Sequence, residues 1–203
     1  MVVPHAYEFD AVILAGGRSS RLGGVPKQSL IYDGATLLQR SLGAARDARV
    51  AVVVGPDPGA LPEGVLWCRE DPPFSGPASA IAAGLAILDE TAGPRAPFTL
   101  LLACDMPRVG PALGALRRSL GPGDGVMAVS PDGHRQPLAG FYSTSALRRS
   151  VQDLNSRGAL MNGSVSAVLA RLDVQLVTVP EGSTDDVDTW DDAAALGVAG
   201  RES

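Results

Sequence analysis

Soft metal ligands are scarce in this chain: two cysteines and two histidines among 203 residues. Cys68, Cys104, His5 and His134 are scattered without metal-ligand spacing, which argues against a zinc site. Two thiols in a chain of this length make no disulfide framework either. Each lies in an apolar run and reads as a buried thiol in a reducing compartment. Long apolar stretches are also missing. No run approaches the ~18 residues of a membrane span, and Met1 to Asp10 has neither the basic start nor the apolar stretch of a signal peptide. Positive charge is in deficit, with a net charge of −5 and a pI of about 5.0, so neither nucleic acid nor a membrane is expected as a partner. These absences point to a cytoplasmic protein in which any positive field is local.

What is present is alternation. Strand-like apolar runs occupy 11–15, 50–54, 65–69, 98–103, 125–129, 138–142 and 174–179. Helix-like segments at 36–45, 77–88, 111–120, 144–154, 164–172 and 189–196 fall between or after them. Several strands are apolar without a break, as strands covered on both faces are. The order predicts a three-layer α/β/α, Rossmann-like domain with a mostly parallel central sheet. It spans about 8–198 as a single unit, in two halves over 8–108 and 109–198, with flexible ends at 1–7 and 199–203. Open sheets of this kind bind ligands beyond the carboxyl ends of their strands.

One such end stands out: Ala11-Val-Ile-Leu-Ala-Gly-Gly-Arg-Ser-Ser-Arg-Leu-Gly-Gly-Val-Pro-Lys27. A short strand stops at Gly16-Gly17 and opens into a loop carrying Arg18, Arg21 and Lys27. Glycines let the backbone N–H groups approach phosphate oxygens closely, and the cations complete a cradle for a nucleoside triphosphate. It is no P-loop, because Lys27 follows Pro26 and precedes Gln28. Nor do Gly16, Gly17, Gly23 and Gly24 fit the dinucleotide fingerprint. The run resembles the signature loop of the NTP-transferase-like nucleotidyltransferases, and within them the molybdenum cofactor guanylyltransferase family. By that resemblance Leu14, Ala15, Gly16, Gly17 and Lys27 bind the nucleotide, and Arg21 and Lys27 stabilise transition-state charge.

Asp105 ends the buried run Leu100-Leu-Leu-Ala-Cys-Asp-Met-Pro107. An aspartate there is either a hard oxygen ligand for Mg²⁺ or the cap of the following turn; the family's Asp-x-Pro motif implies the metal role. In Arg69-Glu-Asp71-Pro-Pro-Phe-Ser-Gly76-Pro77, Gly-Pro opens a helix. The resemblance implies that Asp71 holds the nucleotide, with Glu70 beside it as the alternative. Asp132-Gly-His-Arg-Gln-Pro137 resembles the polar turn beside the acceptor pocket. His134 there reads as a solvated residue, since phosphate acceptors are already ionised. Arg135, Gln136 and Arg157 are the acceptor-binding candidates. Finally, Asp185-Asp-Val-Asp188-Thr-Trp-Asp191-Asp192 carries a helix cap at Thr189 or Asp188 and acidic residues in the first turn. Asp186 or Asp188 is also a candidate second metal ligand. Its Asp-x-Asp-Thr form looks more like cytidylyltransferases than the Asn-x-Asn-Thr of the guanylyl branch.

The resemblance implies transfer of GMP from GTP to a phosphorylated acceptor, molybdopterin-bound molybdenum, with Mg²⁺ as cofactor and pyrophosphate released. Molybdoenzymes or cofactor-insertion proteins would be partners. Rival expectations are a cytidylyltransferase of the same cofactor, a transferase using another phosphorylated acceptor, and a non-catalytic nucleotide-binding delivery module.

Overall fold

The computed structural model describes residues 7–17 and 19–200. Residues 1–6 and 201–203, most of the ends expected to be flexible, and Arg18 of the glycine-rich loop lie outside the described residues. In chain order the elements are β1 (Phe9–Leu14), β2 (Ile31–Tyr32), β3 (Ala35–Thr36), α1 (Leu37–Ala44), β4 (Ala51–Val54), β5 (Val65–Cys68), α2 (Pro77–Glu90), β6 (Phe98–Ala103), α3 (Gly110–Ser119), β7 (Gly125–Val129), β8 (Arg135–Ser143), α4 (Thr144–Ser156), α5 (Val165–Leu169), β9 (Val174–Thr178), α6 (Trp190–Leu196) and β10 (Val198–Ala199).

Seven strands form the central sheet in the order β5-β4-β1-β6-β8-β7-β9. β8 alone runs against the rest, pairing antiparallel with β6 and β7. The cause is the short turn before it, where the Ser130 N–H donates to the His134 carbonyl at 2.9 Å; a turn this tight can only reverse the chain. β8 also begins three residues earlier than the apolar pattern suggests, so Arg135 and Gln136 are strand residues. Because β8 is reversed, its start lies at the same sheet edge as the carboxyl ends of β6 and β7.

Side-chain alternation along β1 feeds two cores. Phe9, Ala11 and Ile13 pack with Leu38 of α1 and Leu113 and Leu116 of α3. Val12 and Leu14 pack on the other face with Ile81 and Leu85 of α2 and Leu147 of α4. Each fully buried Leu, Ile or Val contributes about 1.5–3 kcal/mol of burial, which explains the unbroken apolar runs that begin at Ala11 in β1 and at Leu100 in β6. A third, smaller core joins Leu22 and Leu30 of the glycine-rich segment to Val187, Ala193, Leu196 and Val198. Beside it the two-residue strands β2, β3 and β10 form a separate three-stranded sheet, which the sequence pattern does not reveal. Ala199, expected in a flexible end, is part of that sheet.

Among the described residues no helix is long and apolar enough to cross a membrane. Both cysteines are free, with Cys104 buried as expected and Cys68 only half-buried. Burial, with Glu70 adding its charge, pushes the Cys68 thiol up to about 11.

Candidate active site

The sheet reverses direction of growth between β1 and β6, and those two strands end level with each other: Leu14 is paired with Ala103. The ladder runs one residue further, with Cys104 N–H donating to the Leu14 carbonyl at 3.1 Å. The glycine-rich loop and Asp105 therefore leave the sheet side by side. On the other flank, Ala15 N–H donates to the Val54 carbonyl at 2.8 Å, and the chain after β4 turns at Gly55. A Cβ on Gly55 would stand 2.8 Å from both the Ala15 carbonyl carbon and the Gly16 nitrogen, at a φ of +152°. Only glycine lets that backbone press against the start of the loop.

Beyond these ends lies a cleft of about 500 Å³, lined among others by Gly16, Gly17, Lys27, Glu70, Asp105 and Asp188. Lys27 stands in a tight turn after Pro26, and its side chain is only 20 % exposed. Its Nζ donates to Asp105 Oδ2 at 2.9 Å and, still more closely, to Asp188 Oδ1. Arg21 Nη1 meets the other Asp188 oxygen at 3.2 Å. Lys27 is thus no freely solvated loop lysine, as its glycine-rich surroundings suggest, but a pinned ammonium. Burial works to lower its pKa; the Asp105 and Asp188 carboxylates outweigh burial and raise it.

The C-terminal segment arrives here because Val187 N–H donates to the Asp105 backbone carbonyl at 3.0 Å while the Val187 side chain is fully buried in the third core. That brings Asp186 and Asp188 to the end of β6. One carboxylate oxygen each from Asp105, Asp186 and Asp188 lies within 4.8 Å of the others. Partial desolvation, followed by the charges of Asp105 and Asp188, raises the Asp186 pKa. Three hard oxygen donors this close could hold a hard divalent cation, and Lys27 already lends two of them a positive charge.

The family model described as the MobA-like NTP transferase domain matches residues 11–175. The chain belongs to this family. It is a nucleotidyltransferase. It is 37 % identical over 145 residues to a probable molybdenum cofactor guanylyltransferase of Synechococcus elongatus, an overlap of 66 % of this chain and 71 % of that one. Among solved structures, molybdopterin-guanine dinucleotide biosynthesis protein A of Archaeoglobus fulgidus superposes with a TM-score of 0.66 at 19 % identity, over 92 % of this chain and 96 % of that one. The 2-C-methyl-D-erythritol 4-phosphate cytidylyltransferase of Thermus thermophilus gives 0.64 at 22 % identity, over 93 % and 97 %. Two activities on one fold at nearly equal scores show that the architecture does not select the base.

Within this MobA-like site the residues expected from sequence divide. Leu14, Gly16, Gly17, Arg21, Lys27 and Asp105 all line the cleft, and Ala15 lies buried between Leu14 and Gly16. Asp71 does not line it; the side chain is exposed, and buried Glu70 lines the wall instead. Arg135 is exposed at the start of β8, at the same sheet edge as the cleft. Gln136 is turned to the C-terminal loop, where its Nε2 donates to the Thr184 carbonyl at 3.3 Å. Arg157 closes α4 and pairs with Asp153 at 2.7 Å, a surface i,i+4 contact. Asp188 is the member whose weight the sequence conceals. Its backbone N–H and that of Thr189 donate to the Asp192 carboxylate at 3.1 and 2.8 Å, so the capping box of α6 also fixes Asp188.

Proposed function

We propose that this nucleotidyltransferase transfers GMP from GTP to a phosphorylated acceptor, molybdopterin-bound molybdenum, and releases pyrophosphate in an Mg²⁺-dependent reaction. The observation that carries the reading is the convergence of Lys27, Asp105, Asp186 and Asp188 beside the Gly16-Gly17 backbone at the joint end of β1 and β6. A binding-only module has no use for three carboxylates drawn against a lysine at the phosphate end of its cleft.

In this reading the triphosphate lies along the Gly16-Gly17 loop, where backbone N–H groups meet its oxygens. Arg21 and Lys27 add charge-assisted hydrogen bonds. Asp105, Asp186 and Asp188 would hold the magnesium ion, which when bound supplies positive charge against the triphosphate. An oxygen of the acceptor phosphate attacks the α-phosphorus, forming the new P–O bond as the bond to the pyrophosphate oxygen breaks. Lys27, exchanging a carboxylate for phosphate oxygens, stabilises the charge that develops. Catalysis is positioning and charge neutralisation. The attacking phosphate is already ionised, so no general base is needed and exposed His134 has no part in it. The acceptor would approach over β8, whose Leu138 lines the cleft and whose first residue is Arg135.

The name of the Synechococcus relative supports guanine and a molybdenum cofactor; Asp186-Val-Asp188-Thr189 supports a cytidylyl reading instead. Pyrophosphate release from each of the four ribonucleoside triphosphates, with and without molybdopterin, decides between them. The expected result is release with GTP only, dependent on both magnesium and molybdopterin. Turnover with CTP in its place would overturn the guanylyl reading.

A further inference from the structure

Among the described residues the central sheet ends at β5 on one side and at β9 on the other. An unpaired strand edge is a template for another strand, so proteins blunt such edges with charges, prolines, bulges or covering turns. β5 carries one of these devices: the Pro62 carbonyl takes its Val65 N–H at 3.2 Å. β9 carries none. Val174-Gln-Leu-Val-Thr178 has no charge and no proline, and it pairs with β7 in unbroken register along its whole length. Gln175, Leu176 and Thr178 are exposed, Leu176 at 45 %. The Val179 N–H donates to the Val129 carbonyl at 3.0 Å, which fixes the direction of the backbone groups. By alternation Gln175 and Val177 also turn theirs to β7, while Val174, Leu176 and Thr178 present N–H and carbonyl to the open side.

We infer that β9 is a self-association edge, which pairs antiparallel with β9 of a second copy about a two-fold axis at Leu176. A two-fold interface must be complementary to itself, and this edge is so in backbone, apolar contact and charge. Centring on Leu176 is the register in which every outward residue faces an outward residue: Leu176 faces Leu176, and Val174 faces Thr178. Each such pair exchanges both of its N–H···O bonds. The two Leu176 side chains then meet on one face and leave water together. The same register brings Arg171, just ahead of β9, level with the second copy's Glu181, just after it, once on each side of the axis. Both residues are exposed, and the Arg171 contact with Asp153, at 3.2 Å, leaves its side chain 68 % exposed. Asp173 falls opposite Val179 and meets no like charge. Charges so placed do less for affinity than for fixing register. The catalytic clefts of the two copies open in opposite directions, and the inference stands apart from the guanylyl reading.

Sedimentation velocity and light scattering of the full chain, over a concentration series through the micromolar range, test this. Strands this short make a small interface, so wild type should pass reversibly from monomer to dimer as concentration rises. Leu176→Lys sets two like charges directly opposite each other at the axis. It should stay monomeric where wild type is mostly dimer, with circular dichroism matching wild type. Arg171→Glu and Glu181→Arg each replace two attractions by two repulsions and should each weaken the dimer several-fold. The two exchanges combined should restore it. A monomeric mass at every wild-type concentration would overturn the inference. So would a dimer indifferent to Leu176→Lys, because another surface would then be holding it. A combined exchange that regains nothing lost by either change alone would refute the register centred on Leu176. The concentration series and the charge exchange decide even if Leu176→Lys misfolds.

Discussion

Replacing Lys27 with alanine should cost this protein both rate and stability, and magnesium should restore only the second. The Lys27 and Asp105 side chains are 20 % and 18 % exposed. Breaking a fully buried pair from one side costs about 3–5 kcal/mol, while an exposed pair is worth under about 1. The Lys27–Asp105 contact lies between those limits, and Asp188, 45 % exposed, adds little once solvent screening is counted. A loss of about 1–3 kcal/mol follows. It should be seen in full at neutral pH. Lys27 titrates above its ordinary 10.5 because Asp105 and Asp188 overcome the opposing effect of burial; a raised pKa stabilises fully below the unfolded value and is lost only as pH climbs through the folded one. The alanine variant leaves three carboxylates within 4.8 Å of one another without their lysine. Added Mg²⁺ should therefore shift its urea midpoint upward by more than it shifts that of wild type. Turnover has no such rescue: loss of one contact to developing charge is worth about 10²–10³ in rate. Pyrophosphate release at saturating GTP and acceptor measures that term. Near-normal turnover would remove Lys27 from the chemistry, and a stability loss indifferent to magnesium would show that the carboxylates are no cation site.

Asp105→Asn should leave a folded domain by circular dichroism and abolish magnesium-dependent pyrophosphate release; full activity would reduce Asp105 to a turn cap. Asp186 has a raised pKa, through partial desolvation first and then Asp105 and Asp188, so its ionisation works against the fold as pH rises through the folded value. Protons should compete with Mg²⁺ there, and the magnesium affinity measured by calorimetry should weaken as the solution is acidified, more steeply in wild type than in Asp186→Asn. Alanine at both Arg135 and Arg157 should raise the acceptor KM several-fold and leave GTP affinity alone. Arg135 should carry that effect, because Arg157 is engaged by Asp153. Gly55→Ala would drive a Cβ to 2.8 Å from the Ala15 and Gly16 backbone; it should lower stability by more than about 1 kcal/mol and weaken GTP binding, and a melting temperature equal to wild type would refute the close approach.

The two elements that frame the site are legible because physics makes them conspicuous. β1 and β6 are covered on both faces, so after Asp10 and Thr99 their sequences are apolar without a break, and each run stops at the cleft, at Gly16 and at Asp105. β2, β3 and β10 have two residues each, too few to show any period, and owe their existence to a core assembled from Leu22, Leu30, Val187 and Leu196. The early start of β8 is hidden for a different reason: Arg135 and Gln136 project past the covered part of the sheet, so their polarity reads as turn. Asp188 is the instructive case. The helix cap at Thr189 is written locally, with Asp192 three residues on, and it accounts for most of the acidic cluster, leaving Asp186 or Asp188 as a candidate second metal ligand without saying which. What the local pattern cannot carry is the meeting of Asp188 with Lys27 across 161 residues of chain, which depends on one backbone hydrogen bond from Val187 to the end of β6 and on a buried valine beside it. The same few residues thus satisfy a helix terminus and complete a charged site. The cap orients Asp188 through Asp192, the third core holds the segment that bears it, and the glycine-rich loop is anchored to that same core through Leu22 and Leu30. Loop, lysine and C-terminal carboxylates are parts of one packed unit, which explains how a glycine-rich loop keeps its geometry against a rigid sheet edge.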